Sequence, residues 1–398
     1  MDGGLKAWLT VAGASVALFV GFGQVSAFGT FQTYYAHHQL SELSPSTISW
    51  IGSLQFFTFF FSGGFIGRIF DTFGPKRILA LGTILLTFAT MMISLSTKYY
   101  QFILAQGVLF GLSIGMIFFP SLAALSTHFE KRRGAAVGIA FASAGLGGVV
   151  YPIMFNRLFS EIGFAWTVRI VGFMSLFLGT FSTATVSSNR KHGRTGAPLL
   201  YPTIYHDVHF MVFCVCCMIA AVGVFIPFFY LANYAIAHGI APSTAFYLIS
   251  CINAGSIVGR LVPPMLSDRV GRFNVIVPSA FALGPCALAF WPFAKSLVAM
   301  VFFALLWGAF SGALIAMMIP CVAQISSDPK EIGTRIGVLY STISFGAFAG
   351  GPAAGAILQD LDGSYLGMMW LSGAAVVVCA SGLLWIRLRL DSRIFVRV

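Results

Sequence analysis

The chain has 398 residues, 58% apolar and only 9% charged, with a mean hydropathy of +0.89, whereas an ordinary soluble domain carries about 25% charged residues. Such a make-up excludes a soluble enzyme, which would leave too much apolar surface in water; a bilayer removes that cost and asks for apolar spans of about 20 residues each. The net charge of +11 comes from 23 Lys and Arg against 12 acids, but the basic residues stand in short clusters between apolar runs, without base-stacking aromatics, so they read as cytosolic loops and not as a nucleic-acid surface.

Apolar runs bounded by charges, Pro or Gly predict twelve transmembrane helices, at residues 8–34, 48–70, 78–97, 101–127, 134–159, 165–187, 208–237, 243–266, 274–293, 297–324, 334–358 and 365–389. The first run is too long for a cleavable signal core, which spans roughly 7 to 15 residues, so it reads as a span. The ten-residue alternation of a β-barrel strand is absent. The fold class expected is therefore an all-α membrane protein. With both termini cytosolic, 19 of the 23 basic residues fall on the inner side, leaving Lys98, Arg157, Arg169 and Lys295 outside. Trp8, Trp50, Trp166, Trp291 and Trp385 lie near span ends, while Trp307 is mid-span. The seven cysteines (Cys214, Cys216, Cys217, Cys251, Cys286, Cys321 and Cys379) lie in apolar stretches and read as packing residues.

An internal repeat organises the chain. GRIFDTFGPKR (Gly67 to Arg77) has a counterpart in SDRVGR (Ser267 to Arg272), so that Asp71 and Gly74 recur as Asp268 and Gly271 after 197 residues. Gly111, Gly115 and Pro120 recur as Gly308, Gly312 and Pro320, and Gly134, Gly138 and Pro152 as Gly333, Gly337 and Pro352, at offsets of 197 to 200. The expected organisation is a six-helix bundle at 1–187, a cytosolic linker at 188–207 and a second six-helix bundle at 208–398, with a substrate cavity between pseudo-symmetric halves.

The loop Gly67, Asp71, Gly74, Lys76, Arg77 resembles the G-x-x-x-D-x-x-G-x-[RK]-[RK] signature of the major facilitator superfamily, and length, span number and repeat agree over the whole chain. DGGLKAW (Asp2 to Trp8), GFGQVSAFGTFQTYY (Gly21 to Tyr35), HFEKRRGAAVG (His128 to Gly138) and GRLVPPMLSDRVGRFN (Gly259 to Asn274) resemble, more narrowly, the fungal-type branch of the monocarboxylate transporter family. The resemblance implies a carrier working by alternating access. Two departures accompany it: the position four before Arg260 is Ser256, where proton-coupled animal members have Asp, and the first helix lacks their Lys. The GPxxGG-like motif of drug antiporters is also missing, since the fifth helix reads SAGLGGVVYP (Ser143 to Pro152).

On this resemblance Asp71, Gly74, Lys76 and Arg77 form one cytosolic gate cluster and Asp268, Arg269, Gly271 and Arg272 the other, with the two glycines as turn residues. Arg260 lies eight residues before Asp268, about 12 Å into the membrane at about 1.5 Å per residue. A guanidinium at that depth is a candidate for binding a carboxylate; the bland alternative is snorkelling or bracing Asp268. Gln24, Tyr234 and Asn253 are candidates to orient the substrate, and Trp307 to wall it, against the alternative that each bridges helices. Gln32, Gln106, Asn233 and Gln324 are lesser candidates, and Arg169 reads as snorkelling outward.

No Asp or Glu falls inside a span. That leaves a protonated substrate, a histidine such as His128 or His38, or uniport as the coupling options. GLSIG (Gly111 to Gly115) fits the hydrolase nucleophile elbow, but that needs a strand and a sharp turn, and its repeat counterpart GAFSG (Gly308 to Gly312) has no serine at the matching position. His206 and His209 lack a third metal ligand. The expectation is thus a non-enzymatic plasma-membrane carrier of a small solute, most simply a monocarboxylate-type anion with protons as coupling ion, needing no cofactor, metal or protein partner. The alternatives are efflux of a fungal secondary metabolite and, in a different class, a carrier-derived nutrient sensor.

Overall fold

A computed structural model describes residues 3–129, 133–189, 202–326 and 332–391, excepting the side chains of residues 71, 133–135, 202–203 and 268. Its long helices are α1 (Leu5–His37), α2 (Pro45–Phe73), α3 (Pro75–Leu95), α4 (Tyr99–His128), α5 (Arg133–Glu161), α6 (Gly163–Thr185), α7 (Val208–Ala237), α8 (Tyr247–Val270), α9 (Arg272–Phe293), α10 (Leu297–Ile325), α11 (Ile332–Asp360) and α12 (Leu366–Leu390). Eleven of these are long and apolar enough to cross a bilayer, and α2, with 29 residues, is the twelfth. Its composition is softer because Ser49, Ser53, Gln55 and Ser62 all turn inward and are buried. The expected all-α fold class is what the chain adopts.

Local chemistry sets the ends. Ser44 caps α2, its hydroxyl accepting the Thr47 amide at 3.2 Å ahead of a helix-opening Pro45. Ser296 caps α10 in the same way through the Ala299 amide at 3.3 Å. The outward faces keep large apolar residues such as Phe65, Phe177, Phe302 and Trp370 more than half exposed, a surface suited to lipid.

The chain divides into two compact units, Met1–Ala197 and Pro198–Val398. In the first, α1 packs on α5, α4 and α6, α2 on α4, and α3 on α6 and α4. In the second, α7 packs on α11, α12 and α10, α8 on α10, and α9 on α12 and α10. The two patterns are the same when six is added to each helix number. The linker expected at 188–207 has residues 190–201 outside the described set, while Pro202–His206 forms one helical turn.

The duplication extends to single contacts. A Cβ on Gly111 would stand 2.5 Å from the Gln55 carbonyl oxygen, and one on Gly308 would stand 1.9 Å from that of Ile252, its repeat partner. A Cβ on Gly147 would likewise collide with the Phe19 carbonyl and one on Gly346 with the Met218 carbonyl, again repeat partners. These glycines let helix backbones touch, so GLSIG lies in an uninterrupted helix as a packing stripe and makes no nucleophile elbow.

Both loops expected to form the cytosolic gate turn on a glycine. Gly74 has φ 72 and ψ 176, Gly271 φ 108 and ψ 147, a region accessible essentially to glycine alone. Each amide also closes its preceding helix, on Phe70 O at 2.8 Å and Ser267 O at 2.9 Å. Gly74→Ala and Gly271→Ala are each expected to cost about 1–3 kcal/mol, read as a lower melting temperature of the detergent-solubilised protein. Gly67→Ala, in the same motif but with open space around it and helical backbone, is expected to leave that temperature unchanged.

Candidate functional site

The α7 backbone is broken where Phe225 ends one helical segment and Ile226 begins the next. Pro227 has no N–H to offer the Gly223 carbonyl, which accepts the Ser372 hydroxyl of α12 at 2.9 Å instead. The neighbouring Val224 carbonyl accepts Nε1–H of Trp307 at 3.3 Å. Trp307 is fully buried and stacks on Phe303, centroids 5.8 Å apart, which stacks in turn on Trp291 at 5.0 Å. Tyr234 meets Trp291 edge-on at 6.1 Å and Tyr365 at 5.2 Å. Two of the expected substrate residues thus belong to one aromatic column, and Trp307 is committed to holding the α7 break.

Asn253 and Arg260, two turns apart on α8, share one face of that helix and are both buried. Asn253 donates Nδ2–H to the Ile249 carbonyl at 3.0 Å, and its Oδ1 has no hydrogen-bond partner. Arg260 is 1% exposed with Tyr340 of α11 as an electrostatic neighbour, so it does not snorkel. Gln24 is spent inside the first unit, where its Nε2 donates to Ser175 Oγ at 2.9 Å and Tyr151 Oη at 3.5 Å. It braces α1 against α6 and α5.

In the α2–α3 and α8–α9 loops Lys76, Arg77 and Arg269 are exposed, while Arg272 reaches the Pro320 carbonyl at 3.0 Å. A cation there also suits the negative end of α10. The side chains of Asp71 and Asp268 lie outside the described residues, although their backbones complete α2 and α8. Arg169 is half-buried, donating to Ser94 Oγ at 3.2 Å and covering Trp166 at 5.1 Å. No cluster of His, Cys, Asp or Glu able to hold a metal occurs among the described residues, and His209 instead stacks on Trp385 at 5.9 Å.

Several features escape a sequence reading. Tyr34 and His38 end α1 as a stacked pair 4.0 Å apart, and Tyr234 and His238 end α7 as a pair 4.2 Å apart. In each, Nδ1 lies on the Tyr carbonyl, at 3.0 and 2.9 Å; a carbonyl only accepts, so Nδ1 is the donor. The offset of 200 in both residues was the available signal. Asp207 and Arg335 form a 2.6 Å ion pair, with Phe210 under the guanidinium at 5.0 Å. His128 holds the segment after α6 through the Ser187 carbonyl at 2.9 Å.

The model of the Major Facilitator Superfamily matches residues 14–296 and again 208–394. The MFS-type transporter opdF of Penicillium oxalicum is 40% identical over 98% of this chain and 92% of its own length. The aspyridones efflux protein apdF of Emericella nidulans is 40% identical over 91% of this chain and 74% of its own. The agnestins efflux protein AgnL12 of Paecilomyces divaricatus is 35% identical over 98% and 90%. These relatives carry transporter and efflux names, where the motif reading points to the monocarboxylate branch. The chain is an integral, multi-pass membrane protein and belongs to the Major Facilitator Superfamily of transporters.

Proposed function

We propose that the protein exports a small organic secondary metabolite by alternating access, with protons as the coupling ion, from a plasma membrane in which both termini are cytosolic. The observation that carries this reading is the pair of relatives named as efflux proteins, aligned with nearly the whole chain. The chemistry of the interior supports it. Buried polar side chains of the spans are mainly hydroxyls and carboxamides with few charges among them, an interior that suits an uncharged solute better than a small ion.

A second reading rests on Arg260, which with Asn253 and Tyr340 would neutralise and orient a monocarboxylate-type anion. In this reading Trp307 and Tyr234 act through the aromatic column, and the Asp71 and Asp268 clusters latch the cytosolic side. The test compares cells with and without the protein for the ratio of external to internal metabolite, alongside vesicle uptake of labelled short carboxylates. Export that vanishes with the protein, with no carboxylate uptake, is the expected result. Gradient-driven uptake of one acid, reduced about tenfold or more in Arg260→Gln, would overturn the exporter in favour of the anion carrier.

A further inference from the structure

Arg389, near the end of α12, is exposed, and among the described residues it makes neither an ion pair nor a hydrogen bond. Its guanidinium lies over the indole of Trp385, one turn earlier on α12, at 5.5 Å. The ring of His209, at the start of α7, stacks on the same indole at 5.9 Å. A cation over a ring is held through the ring's face, so the five guanidinium N–H groups stay open to an acceptor. The ring also pre-orients the guanidinium, which lowers the entropy lost on binding. Neither neighbouring acid neutralises it: Asp207 is paired with Arg335 at 2.6 Å, and Asp391 makes no ion pair with Arg389. Deeper in the span the surface beside this cation is apolar. Trp385 is 39% exposed, and Val378, two turns back on the same face of α12, is 53% exposed. Here α7 and α12 close tightly on each other, since a Cβ on Gly382 would stand 2.2 Å from the Cys216 sulfur.

The duplicated framework does not need this cluster. The end of α6, which corresponds to that of α12, reads TATVSSN over residues 183–189, without an aromatic or basic residue. The start of α1 has Leu9 where α7 has His209. In the first unit α6 nevertheless packs on α1 as α12 packs on α7.

We infer that Arg389, Trp385 and His209 hold the headgroup of an anionic phospholipid where α7 and α12 meet. The planar fork of Arg389 suits two oxygens of one phosphate. His209 adds a ring N–H, which either tautomer possesses. The indole sits at headgroup level, with the apolar strip that continues to Val378 beneath it for an acyl chain. That strip is what a lipid uses and a free phosphate does not. Charge complementarity selects the headgroup: a zwitterionic one brings its own ammonium, whereas an anionic one leaves the charge of Arg389 to be matched. With the termini cytosolic, as proposed above, this end faces the leaflet rich in anionic lipid.

The experiment uses the full chain in phosphatidylcholine nanodiscs, with brominated phosphatidylserine or brominated phosphatidylcholine as a minor component. Bromine quenches tryptophan on contact, and the difference between wild type and Trp385→Phe isolates the signal of this ring. That signal is expected to show about fivefold or more preference for phosphatidylserine, the effect of one basic residue at a membrane surface. Arg389→Gln keeps the reporting ring and is expected to lose the preference, at an unchanged melting temperature because the side chain is exposed. Equal quenching by the two lipids in wild type, or a preference that survives in Arg389→Gln, would overturn the site. Inorganic phosphate that abolishes the preference at matched ionic strength would overturn the lipid in favour of a free anion. A clearly lower melting temperature of Arg389→Gln would assign the residue to the fold instead. None of these readouts depends on what the protein transports.

Discussion

Gly308→Val is expected to destabilise the second unit by about 3 kcal/mol or more, the upper range for overpacking a well-filled interior. The Cβ alone would stand 1.9 Å from the Ile252 carbonyl oxygen, 2.8 Å from its carbon and 3.0 Å from the Ser256 nitrogen. All three are backbone atoms of α8, so no rotamer change can make room. The helices must separate, and α8 meets α10 again through Gly255 and Gly259, where an added Cβ would likewise collide with the Leu305 and Ala309 carbonyls. Without a hydrophobic drive between helices in lipid, close backbone approach supplies much of the association, so widening it forfeits contact along the whole crossing. Denaturation in mixed micelles of rising SDS fraction gives the stability directly. Gly333→Ala, with nothing within 4 Å of its added methyl, is the matched control and is expected to change stability by less than about 0.5 kcal/mol.

How much of this was legible in the sequence depends on what each feature answers to. The bilayer imposes long apolar runs, so the helices were countable from composition. Their ends were not, because a cap decides them: the span expected at 48–70 begins at Pro45, where Ser44 and the proline start it, and continues to Phe73, where Gly74 stops it. The break in α7 was invisible, since Pro227 alone does not tell which carbonyls are freed or which donors take them. The turn glycines were readable because their backbone conformation excludes other residues. Candidate site residues were harder. Gln24 and Gln55 are both buried amides in apolar helices, and only the fold reveals that Gln24 is bonded to Ser175 whereas Gln55 has no partner. Asp207 reads as a linker charge and Arg335 as one more inside-positive residue, since 128 positions separate them.

That ion pair supports the second large prediction. Arg335 is 4% exposed and Asp207 23%, so the two ends of the pair face different alternatives when the other is removed. Asp207→Ala removes the carboxylate paired with a buried guanidinium and also the α7 cap, in which Asp207 Oδ1 accepts the Phe210 amide at 3.2 Å. The expected loss is about 3–5 kcal/mol, the range for breaking a buried pair from one side. Arg335→Met leaves a carboxylate that still caps the helix and still reaches water, and its apolar chain keeps packing on Phe210. Its expected cost is smaller, about 1–2 kcal/mol, near that of losing hydrogen bonds to a charged group. The combination Asp207→Ser/Arg335→Met keeps a capping oxygen and strands no charge, so it is expected to be more stable than Asp207→Ala by about 2 kcal/mol. The same SDS titration measures all three. Equal losses in Asp207→Ala and Arg335→Met, with no recovery in the double variant, would mean that the pair is solvated and that α7 and α11 are held by packing alone.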